Sequence, residues 1–160
     1  MSPVFPVVTW GSAAVTFRPF VGPPCGCDAQ AALVFAFQGD CVLLADIAGR
    51  GWCIPGGRIE AGETAREAAE REAREECGAL LEQVAPLGCT VAVAPDGTER
   101  RLAANFVASV ARLEPIPPHS ESRGIRLARR SELPELYYRW DALIGAAFDF
   151  AWTRRGSVTS

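Results

Sequence analysis

The sequence predicts an α/β (α+β) fold in which helices cover the faces of a mixed central sheet. Apolar strand patterns come first, a helix rich in Ala, Glu and Arg follows, and further strands lead to a last helix. Such an order is typical of a sheet buried between helices. The 160 residues suffice for one core and contain no long linker. We therefore expect a single domain, 1–160, with an N-terminal extension at 1–29 and a core at 30–152.

Short apolar runs bounded by turn residues predict the strands. They lie at 13–20, 31–37, 41–45, 87–94, 101–111 and 125–128. The first of these would be an edge strand that belongs to the extension. Two turn sequences, Gln38-Gly-Asp40 and Pro95-Asp-Gly97, each join a pair of strands. The glycine-rich segment 47–62 is predicted to be a loop.

Helices are predicted from composition and spacing. Residues 63–77 are dense in strong helix formers, and Gly78 follows as a C-terminal stop. Asp141 can cap a last helix, because apolar residues recur at helical spacing between 143 and 152. The sequence Ser-Glu-Leu-Pro at 131–134 indicates the start of a further short helix.

Composition argues against several classes of function. A net charge of -3 gives no basic surface for a nucleic acid polymer. Cys25 and Cys27 form a C-x-C rather than a zinc-binding C-x2-C pair, and His119 is the only histidine. The start lacks the pattern of a secretion signal, and the longest apolar run is too short to span a membrane. We expect a cytoplasmic protein with reduced thiols and no membrane contact.

Three carboxylates converge on one side of the predicted helix at 63–77. Glu72 and Glu76 are like charges four residues apart, Glu75 lies beside them, and all three are near the helix end that disfavours anions. Oxygen ligands in this arrangement favour a hard divalent cation. The alternative is a solvated helix laced with ion pairs, for which the predicted pairs are Glu67–Arg71 and Glu70–Arg74.

The loop before this helix begins a motif with fixed spacing. Five residues separate Gly57 from Glu63, and seven separate Glu63 from Arg71-Glu72. The glutamates at 75 and 76 and a glycine at 78 complete it, with Ala at both aliphatic positions. The pattern G-x5-E-x7-R-E-U-x-E-E-x-G-U resembles the Nudix box. The resemblance is to MutT-like nucleoside diphosphate-X pyrophosphohydrolases, and it covers residues 30–152.

This resemblance implies a Nudix-type α/β/α sandwich, with the box as a loop–helix–loop, and roles for the residues of the box. The cofactor would be Mg²⁺, or alternatively Mn²⁺. Its ligands would be the backbone carbonyl of Gly56 and the carboxylates of Glu72, Glu75 and Glu76. Glu63 and Arg71 would pair with each other and hold the loops in place, without touching the substrate.

Hydrolysis also needs a general base, and the resemblance leaves two places for it. One is within the box, at Glu72. The other is an acidic residue on a late loop, a position that Glu121 occupies, although a solvated loop carboxylate is an equal reading of Glu121. Weaker candidates of the same kind are Glu99 and Glu114.

Substrate contacts are less specified than the box. Arg50 and Gly57 are candidate contacts, and simple exposure on the loop is an equal reading of Arg50. Trp52 is expected to pack rather than to stack on a base. Aromatic residues that could sandwich a base, most of which we expect in the core, are Phe20, Phe37, Phe106, Tyr137 and Trp140.

Flanking loops rather than the box select the substrate. The resemblance implies most closely a (d)NTP or an oxidised purine (d)NTP, cleaved to a nucleoside monophosphate and pyrophosphate. ADP-ribose or a nucleotide sugar is the alternative; Pro95 lies at a fitting distance from the box, although the predicted turn explains Pro95 better. A non-catalytic nucleotide-binding module is the alternative of another class. In each case the partner is a small nucleotide, and the chain is a monomer or homodimer.

Overall fold

Strands dominate the molecule and hydrogen-bond into one mixed sheet. The computed structural model describes residues 3–20 and 28–156, so Cys25 and Cys27 lie outside the described residues. The strands are β1 (Val8–Trp10), β2 (Ala13–Pro19), β3 (Ala31–Gln38), β4 (Cys41–Ile47), β5 (Gly51–Cys53), β6 (Gly56–Arg58), β7 (Ala79–Val93), β8 (Glu99–Leu113) and β9 (Ser122–Ala128). The helices are α1 (Ala65–Cys77), α2 (Leu133–Leu136) and α3 (Ala142–Arg154), with a 3-10 turn at Arg130–Glu132.

The sheet is ordered β1-β2-β7-β8-β3-β4-β5, and β6 and β9 pair with β3 and β4 respectively. Strands β3 and β8 run parallel, and the other pairs are antiparallel. The central strand β3 has two partners on one side. Its start pairs with β6, where Leu33 lies opposite Gly56, and its end pairs with β4, where Phe37 lies opposite Val42. The glycine pair that opens β6 is therefore held against the middle of the sheet.

Two strand predictions were wrong. The strand of the extension, β2, is not an edge strand, because the chain reverses at Gly11 (φ 63°) and β1 folds back outside it. Segment 47–62 is not entirely loop, because it contains β5 and β6. Each of these two strands has only three residues and begins with glycine. They are too short to show the alternation of apolar residues by which a strand is recognised in a sequence.

Alternate residues of β3 supply two separate cores. The even-numbered residues from Ala32 to Ala36 pack with α1, and the odd-numbered residues from Leu33 to Phe37 pack with α3. Successive side chains of a strand point to opposite faces, so α1 and α3 cover opposite faces of the sheet. The predicted α/β/α sandwich with a mixed central sheet is confirmed.

Helix α1 ends at Cys77 as the sequence predicts, but it begins at Ala65 rather than at Glu63, because Thr64 caps it. The Thr64 hydroxyl accepts a hydrogen bond from the Glu67 N–H (3.1 Å), and the Glu67 carboxylate accepts one from the Thr64 N–H (3.1 Å), which forms a capping box. Gly78 ends the helix in the left-handed conformation (φ 65°). The buried face of α1 consists of Ala68, Ala69, Ala73, Glu76 and Cys77. Its small side chains let the helix lie close to the sheet, with one carboxylate carried inside.

The ion pairs predicted along α1 are not the ones that form. Glu67 is engaged in the cap rather than with Arg71, and Glu70 accepts from Arg66 (3.1 Å) rather than from Arg74. Arg71 is thereby left for other carboxylates, which is important for the site.

Helix α3 closes the other face, and its predicted cap is confirmed. The Asp141 carboxylate accepts from the Ile144 N–H (2.8 Å). Buried Phe148 meets Phe35 edge to face, with ring centroids 5.0 Å apart. No helix in the described part of the chain has the length and apolar character to cross a membrane.

Candidate active site

Two glycines bring β6 into direct contact with the two sides of the site. A Cβ on Gly56 would collide with the side chain of Leu33, and a Cβ on Gly57 would lie 2.5 Å from Glu72 Oε1. Neither glycine has a positive φ, so close approach rather than backbone conformation requires their lack of a side chain. Gly56 faces the α3 side of the sheet, and Gly57 faces the carboxylates of α1.

Glu76 is the buried acid of the site. It is only 8% exposed, and its Oε1 accepts a hydrogen bond from the Gly56 N–H (2.8 Å). The pKa of Glu76 is raised to about 7, chiefly by burial and also by the charges of Glu72 and Glu121, while the Gly56 N–H and Arg50 act in the opposite direction. Glu76 therefore lies in a field to which two other acids contribute.

Glu72 lies one helical turn earlier and is also largely covered. Its side chain is 15% exposed, and its Oε1 accepts from Arg71 Nη1 (2.9 Å). Burial raises the pKa of Glu72 even though Arg71 lowers it, and the charges of Glu75 and Glu60 add to the increase. Both inner carboxylates are thus costly to ionise without an additional positive charge.

Arg71 connects the box helix to the loop before it. Its guanidinium donates to both oxygens of Glu63, at 2.7 Å and 3.0 Å, and also to the carbonyl of Arg58 (3.0 Å). A further nitrogen contact reaches Glu75 at 3.2 Å. Hydrogen bonds to Glu63 and Glu72 raise the pKa of Arg71 above its ordinary value, so it stays charged. A two-pronged pair of this kind fixes the loop geometrically.

Two residues from other loops reach the same centre. Glu121 is exposed and its charge acts on Glu76; its backbone carbonyl accepts from the Ala48 N–H (3.0 Å), which ties its loop to the end of β4. Arg50 attracts Glu76, and its guanidinium lies 5.9 Å from the ring centroid of Tyr138. The loops after β4 and before β9 therefore place one negative and one positive side chain at the rim.

Not every residue predicted for the site is gathered there. Glu75 is exposed and contacts Arg71. Of the weaker base candidates, Glu99 pairs with Arg18 (2.8 Å) and Glu114 with Arg112 (3.3 Å). These pairs supply no link to Glu76.

The residues of the site have the right donor atoms for a metal ion, but their side chains are not arranged around a common point. Within residues 3–20 and 28–156, no three His, Cys, Asp or Glu side chains are assembled into a metal-binding group. The proposed donors are nevertheless all oxygen atoms, from carboxylates and one backbone carbonyl, which hard divalent cations prefer. Burial raises the pKa of both Glu72 and Glu76, so a cation between them would offset the cost of their charges. The residues present fit such an ion.

An apolar pocket lies behind the glycine pair, between the sheet and α3. Its volume is about 210 Å³, smaller than a typical drug-sized site. Leu33, which leans on Gly56, and Ile54 form the wall nearest the acids. Other residues that line the pocket include Trp10, Thr90, Asn105 and Tyr137. The pocket and the acids are thus separated by the thickness of β6.

The predicted aromatic residues divide between core and pocket. Tyr137 lines the pocket, and its hydroxyl oxygen accepts from the Ile54 N–H (3.3 Å). Phe37 and Phe106 are core residues, 3% and 6% exposed, and Trp140 stacks on Phe148 at 5.8 Å. Phe20 and Trp52 are partly buried and do not line the pocket.

Two pocket residues were missed in the sequence. Asn105 interrupts an apolar strand, a signal that could have identified it. Trp10 belongs to the extension, 131 residues from its hydrogen-bond partner Asp141, and no local signal places it in the pocket.

The sequence and the fold were compared with known proteins. The NUDIX domain model matches residues 28–148. No curated protein sequence is significantly similar to the chain.

Solved structures share the fold at low sequence identity. A mutant of the Bacillus subtilis pyrophosphohydrolase BsRppH is 22% identical, with a TM-score of 0.73 over 92% of this chain and 94% of its own. A MutT NUDIX hydrolase from Burkholderia pseudomallei is 18% identical, with a TM-score of 0.57 over 74% and 94%. An ADP-ribose pyrophosphatase from Streptococcus suis is 18% identical, with a TM-score of 0.55 over 79% and 92%.

These likenesses show a common fold. Membership is shown by the family model, which covers well over half of the chain, including the glycine pair, α1 and the loop of Glu121. The protein belongs to the NUDIX domain family and is a Nudix hydrolase.

Proposed function

We propose that the protein uses Mg²⁺, or Mn²⁺, to hydrolyse a pyrophosphate bond in a nucleoside diphosphate derivative. As a Nudix hydrolase it acts on pyrophosphate bonds; the metal and the substrate are the proposed part. The favoured substrate is a (d)NTP or an oxidised purine (d)NTP, cleaved to a nucleoside monophosphate and pyrophosphate. The observation that carries the proposal is the placement of two largely buried acids against the glycine pair: Glu76 accepts from the Gly56 N–H (2.8 Å), and Glu72 lies against Gly57.

The metal would be held by the two largely buried acids, Glu72 and Glu76, together with the exposed Glu75. Its proposed ligands are Glu72, Glu75, Glu76 and the carbonyl of Gly56. When bound, a divalent cation neutralises phosphate charge and makes a bound water more acidic. Glu63 and Arg71 position the ligands, because their two-pronged contact joins the loop before α1 to the helix itself.

Glu121 is the proposed general base, with Glu72 as the alternative. Glu121 is exposed and close enough to Glu76 to affect its pKa, so it can contact a water at the rim of the site. Arg71 Nη1 already donates to Oε1 of Glu72, which leaves this carboxylate less free to contact a water. Arg50 supplies positive charge at the same rim for a phosphate, and the bare Cα of Gly57 leaves room beside the Glu72 carboxylate.

The alternative substrate, ADP-ribose or a nucleotide sugar, gains no support from Pro95. That residue is exposed at the tip of the β7–β8 hairpin, where the Gly97 N–H donates to the Ala94 carbonyl (2.9 Å). The turn accounts for the proline. A non-catalytic module is disfavoured because every acid of the box is present.

The setting proposed for the enzyme follows from the same facts. Among the described residues, Cys41, Cys53 and Cys77 form no disulfide, which suits a reducing cytoplasm. The partner is a small nucleotide, and the chain acts as a monomer or homodimer without binding a nucleic acid polymer or a membrane.

Product analysis tests the proposal. The purified protein is incubated with Mg²⁺ and, separately, dGTP, 8-oxo-dGTP, ADP-ribose and diadenosine polyphosphates. We expect a nucleoside monophosphate and pyrophosphate from a triphosphate, and no turnover in EDTA. Glu76→Gln should lower turnover by about 10²-fold or more, whereas Glu70→Gln, an exposed acid of the same helix, should not. Turnover in EDTA, or a fully active Glu76→Gln protein, would overturn the metal assignment; nucleotide binding without products would indicate a binding module.

A further inference from the structure

Asn105 is a buried amide in the wall of the pocket between the sheet and α3, whose other polar lining residues include Thr90, Arg139 and two tyrosines. Asn105 lies on the central strand β8 opposite Leu33 and is only 3% exposed. A buried amide in a pocket of this kind must have its hydrogen-bonding groups satisfied, or the cost is substantial.

The three bonds of the Asn105 amide nitrogen fix its orientation. Nδ2 donates to Thr90 Oγ1 (3.0 Å) and to the carbonyl oxygens of Ala103 (3.3 Å) and Gly88 (3.5 Å). Carbonyl oxygens only accept, so the reverse orientation would place Oδ1 against two other acceptors. The acceptor end of the amide is therefore committed to the opposite direction.

That acceptor has no donor within the described residues. All side-chain hydrogen bonds of Asn105 to described residues are made by Nδ2. In the described part of the chain, every side-chain oxygen that is fully buried has a hydrogen-bond partner. Because Oδ1 has none, it is not fully buried and retains accessible surface. Asn105 lines the pocket. An oriented acceptor in a largely apolar wall selects for a ligand that supplies a hydrogen-bond donor.

The surrounding wall suits a flat ring. Trp10 is held in place because its indole N–H donates to Asp141 Oδ2 (2.7 Å), and the guanidinium of Arg139 lies 4.3 Å from its ring centroid. Tyr137 lies on the pocket side nearest the acids. Aromatic walls with few polar groups bind nucleobases by stacking, while polar atoms determine which base is accepted.

We propose that Asn105 is a specificity-determining residue, whose Oδ1 accepts a hydrogen bond from an exocyclic amino group of the substrate base. The inference rests on the proposed function, since it places the nucleoside of that substrate in this pocket. It narrows the substrate class to nucleotides with an amino-bearing base.

Matched ligands test this without altering the protein. Binding of nucleoside monophosphates is measured by calorimetry in EDTA, so that hydrolysis plays no part. Three pairs differ at the amino group: GMP and IMP, AMP and purine riboside monophosphate, and CMP and UMP. We expect at least one amino-bearing member to bind about 10- to 100-fold more tightly than its counterpart, because the counterpart leaves Oδ1 desolvated and unpaired. Equal affinity within all three pairs, or no binding of any ligand, would overturn the inference.

A variant then assigns the discrimination to the residue. Asn105→Leu should reduce the preferred pair to nearly equal affinities, and Ser109→Ala, on the same strand but outside the pocket, should keep the preference. Thermal unfolding checks that Asn105→Leu is folded; if it is not, the three ligand pairs with the unaltered protein decide. A preference that survives in folded Asn105→Leu would count against Asn105. If the protein hydrolyses nucleotides but shows no base preference, only the role of Asn105 is wrong. If it shows a base preference but no hydrolysis, only the proposed function is wrong.

Discussion

Glu76 is the residue at which burial and function conflict most clearly. A carboxylate that is 8% exposed costs free energy to ionise, and its pKa of about 7 reflects that cost. Its hydrogen bond from the Gly56 N–H offsets the cost only in part. Such a residue is a liability to the metal-free fold and an advantage once a cation is bound.

The free energy of unfolding of the metal-free protein should depend on pH through Glu76. The pKa of Glu76 is about 7 in the folded protein, whereas its ordinary pKa, taken for the unfolded chain, is 4.5. Between these values the folded state binds more protons, so its contribution to the free energy of unfolding falls as pH rises, by on the order of 3 kcal/mol in total. Denaturant unfolding in EDTA at pH 4.5 to 8 measures it.

Glu76→Gln is the reference for that measurement, because glutamine can still accept from Gly56. The difference in stability between the variant and the unaltered protein should grow in favour of the variant as pH rises, and should narrow again when Mg²⁺ is added. A constant difference across the range would contradict the description of Glu76 as a buried, uncompensated acid.

A second prediction at the residue scale separates Glu121 from Glu72 as the base. Glu121→Gln should reduce kcat by about 10²-fold or more and alter the pH dependence of kcat, since general-base catalysis contributes an effect of that size. Glu114→Gln serves as the matched control, because Glu114 is an exposed acid paired with Arg112. An unchanged rate and pH profile in Glu121→Gln would leave Glu72 as the candidate.

At the scale of elements, the contact of β6 with α1 sets the geometry of the acids. We predict that Gly57→Ala lowers turnover by about 10-fold or more, because its Cβ would lie 2.5 Å from Glu72 Oε1 and displace that carboxylate. Gly124→Ala is the control, since a Cβ there meets nothing within 4 Å. Steady-state kinetics of both variants measure the effect; equal activities would mean that the Glu72 position is not critical.

Elements with local signals were predictable from the sequence, and those without were not. Helix α1 was found because its helix formers and its terminal glycine are local signals; its Thr64 cap was not predicted. Strand β7 was predicted at 87–94 but runs from Ala79 to Val93, because irregular pairing between Glu82 and Ala85, with Gln83 at a φ of 54°, breaks the alternation on which the prediction relied. The β5 and β6 strands carry no apolar pattern at all.

The site divides in the same way. The acids of α1 and their glycine pair share one contiguous motif, so the sequence indicated them together. Asn105 and Trp10 come from β8 and β1, and only the order of strands and the seating of α3 bring them to one pocket. Composition and spacing contain no information about that encounter.

At the scale of the whole molecule, Asp141 joins the first strand to the last helix. One of its oxygens caps α3 through the Ile144 N–H, and the other accepts from the Trp10 indole (2.7 Å). We predict that Asp141→Ala lowers the free energy of unfolding by about 2 kcal/mol, the sum of a lost cap and a lost hydrogen bond. Denaturant unfolding of the purified variants measures it.

Asp141→Ser distinguishes the two roles, because serine caps well but is too short for both contacts. It should recover the part of the loss that is due to the cap. If Asp141→Ser is as unstable as Asp141→Ala, the cap is not what Asp141 contributes. If both variants match the unaltered protein, the connection between β1 and α3 does not stabilise the fold.

The single peptide at Gly56 has one further consequence. On one side its Cα supports Leu33, a wall of the pocket, and on the other its N–H holds the carboxylate of Glu76. A ligand in the pocket that displaces Leu33 would therefore push on the Gly56 peptide, whose N–H positions the carboxylate of Glu76. If the substrate base occupies this pocket as proposed, we expect a badly fitting base to lower the rate as well as the affinity, because Leu33 and Glu76 contact the same peptide.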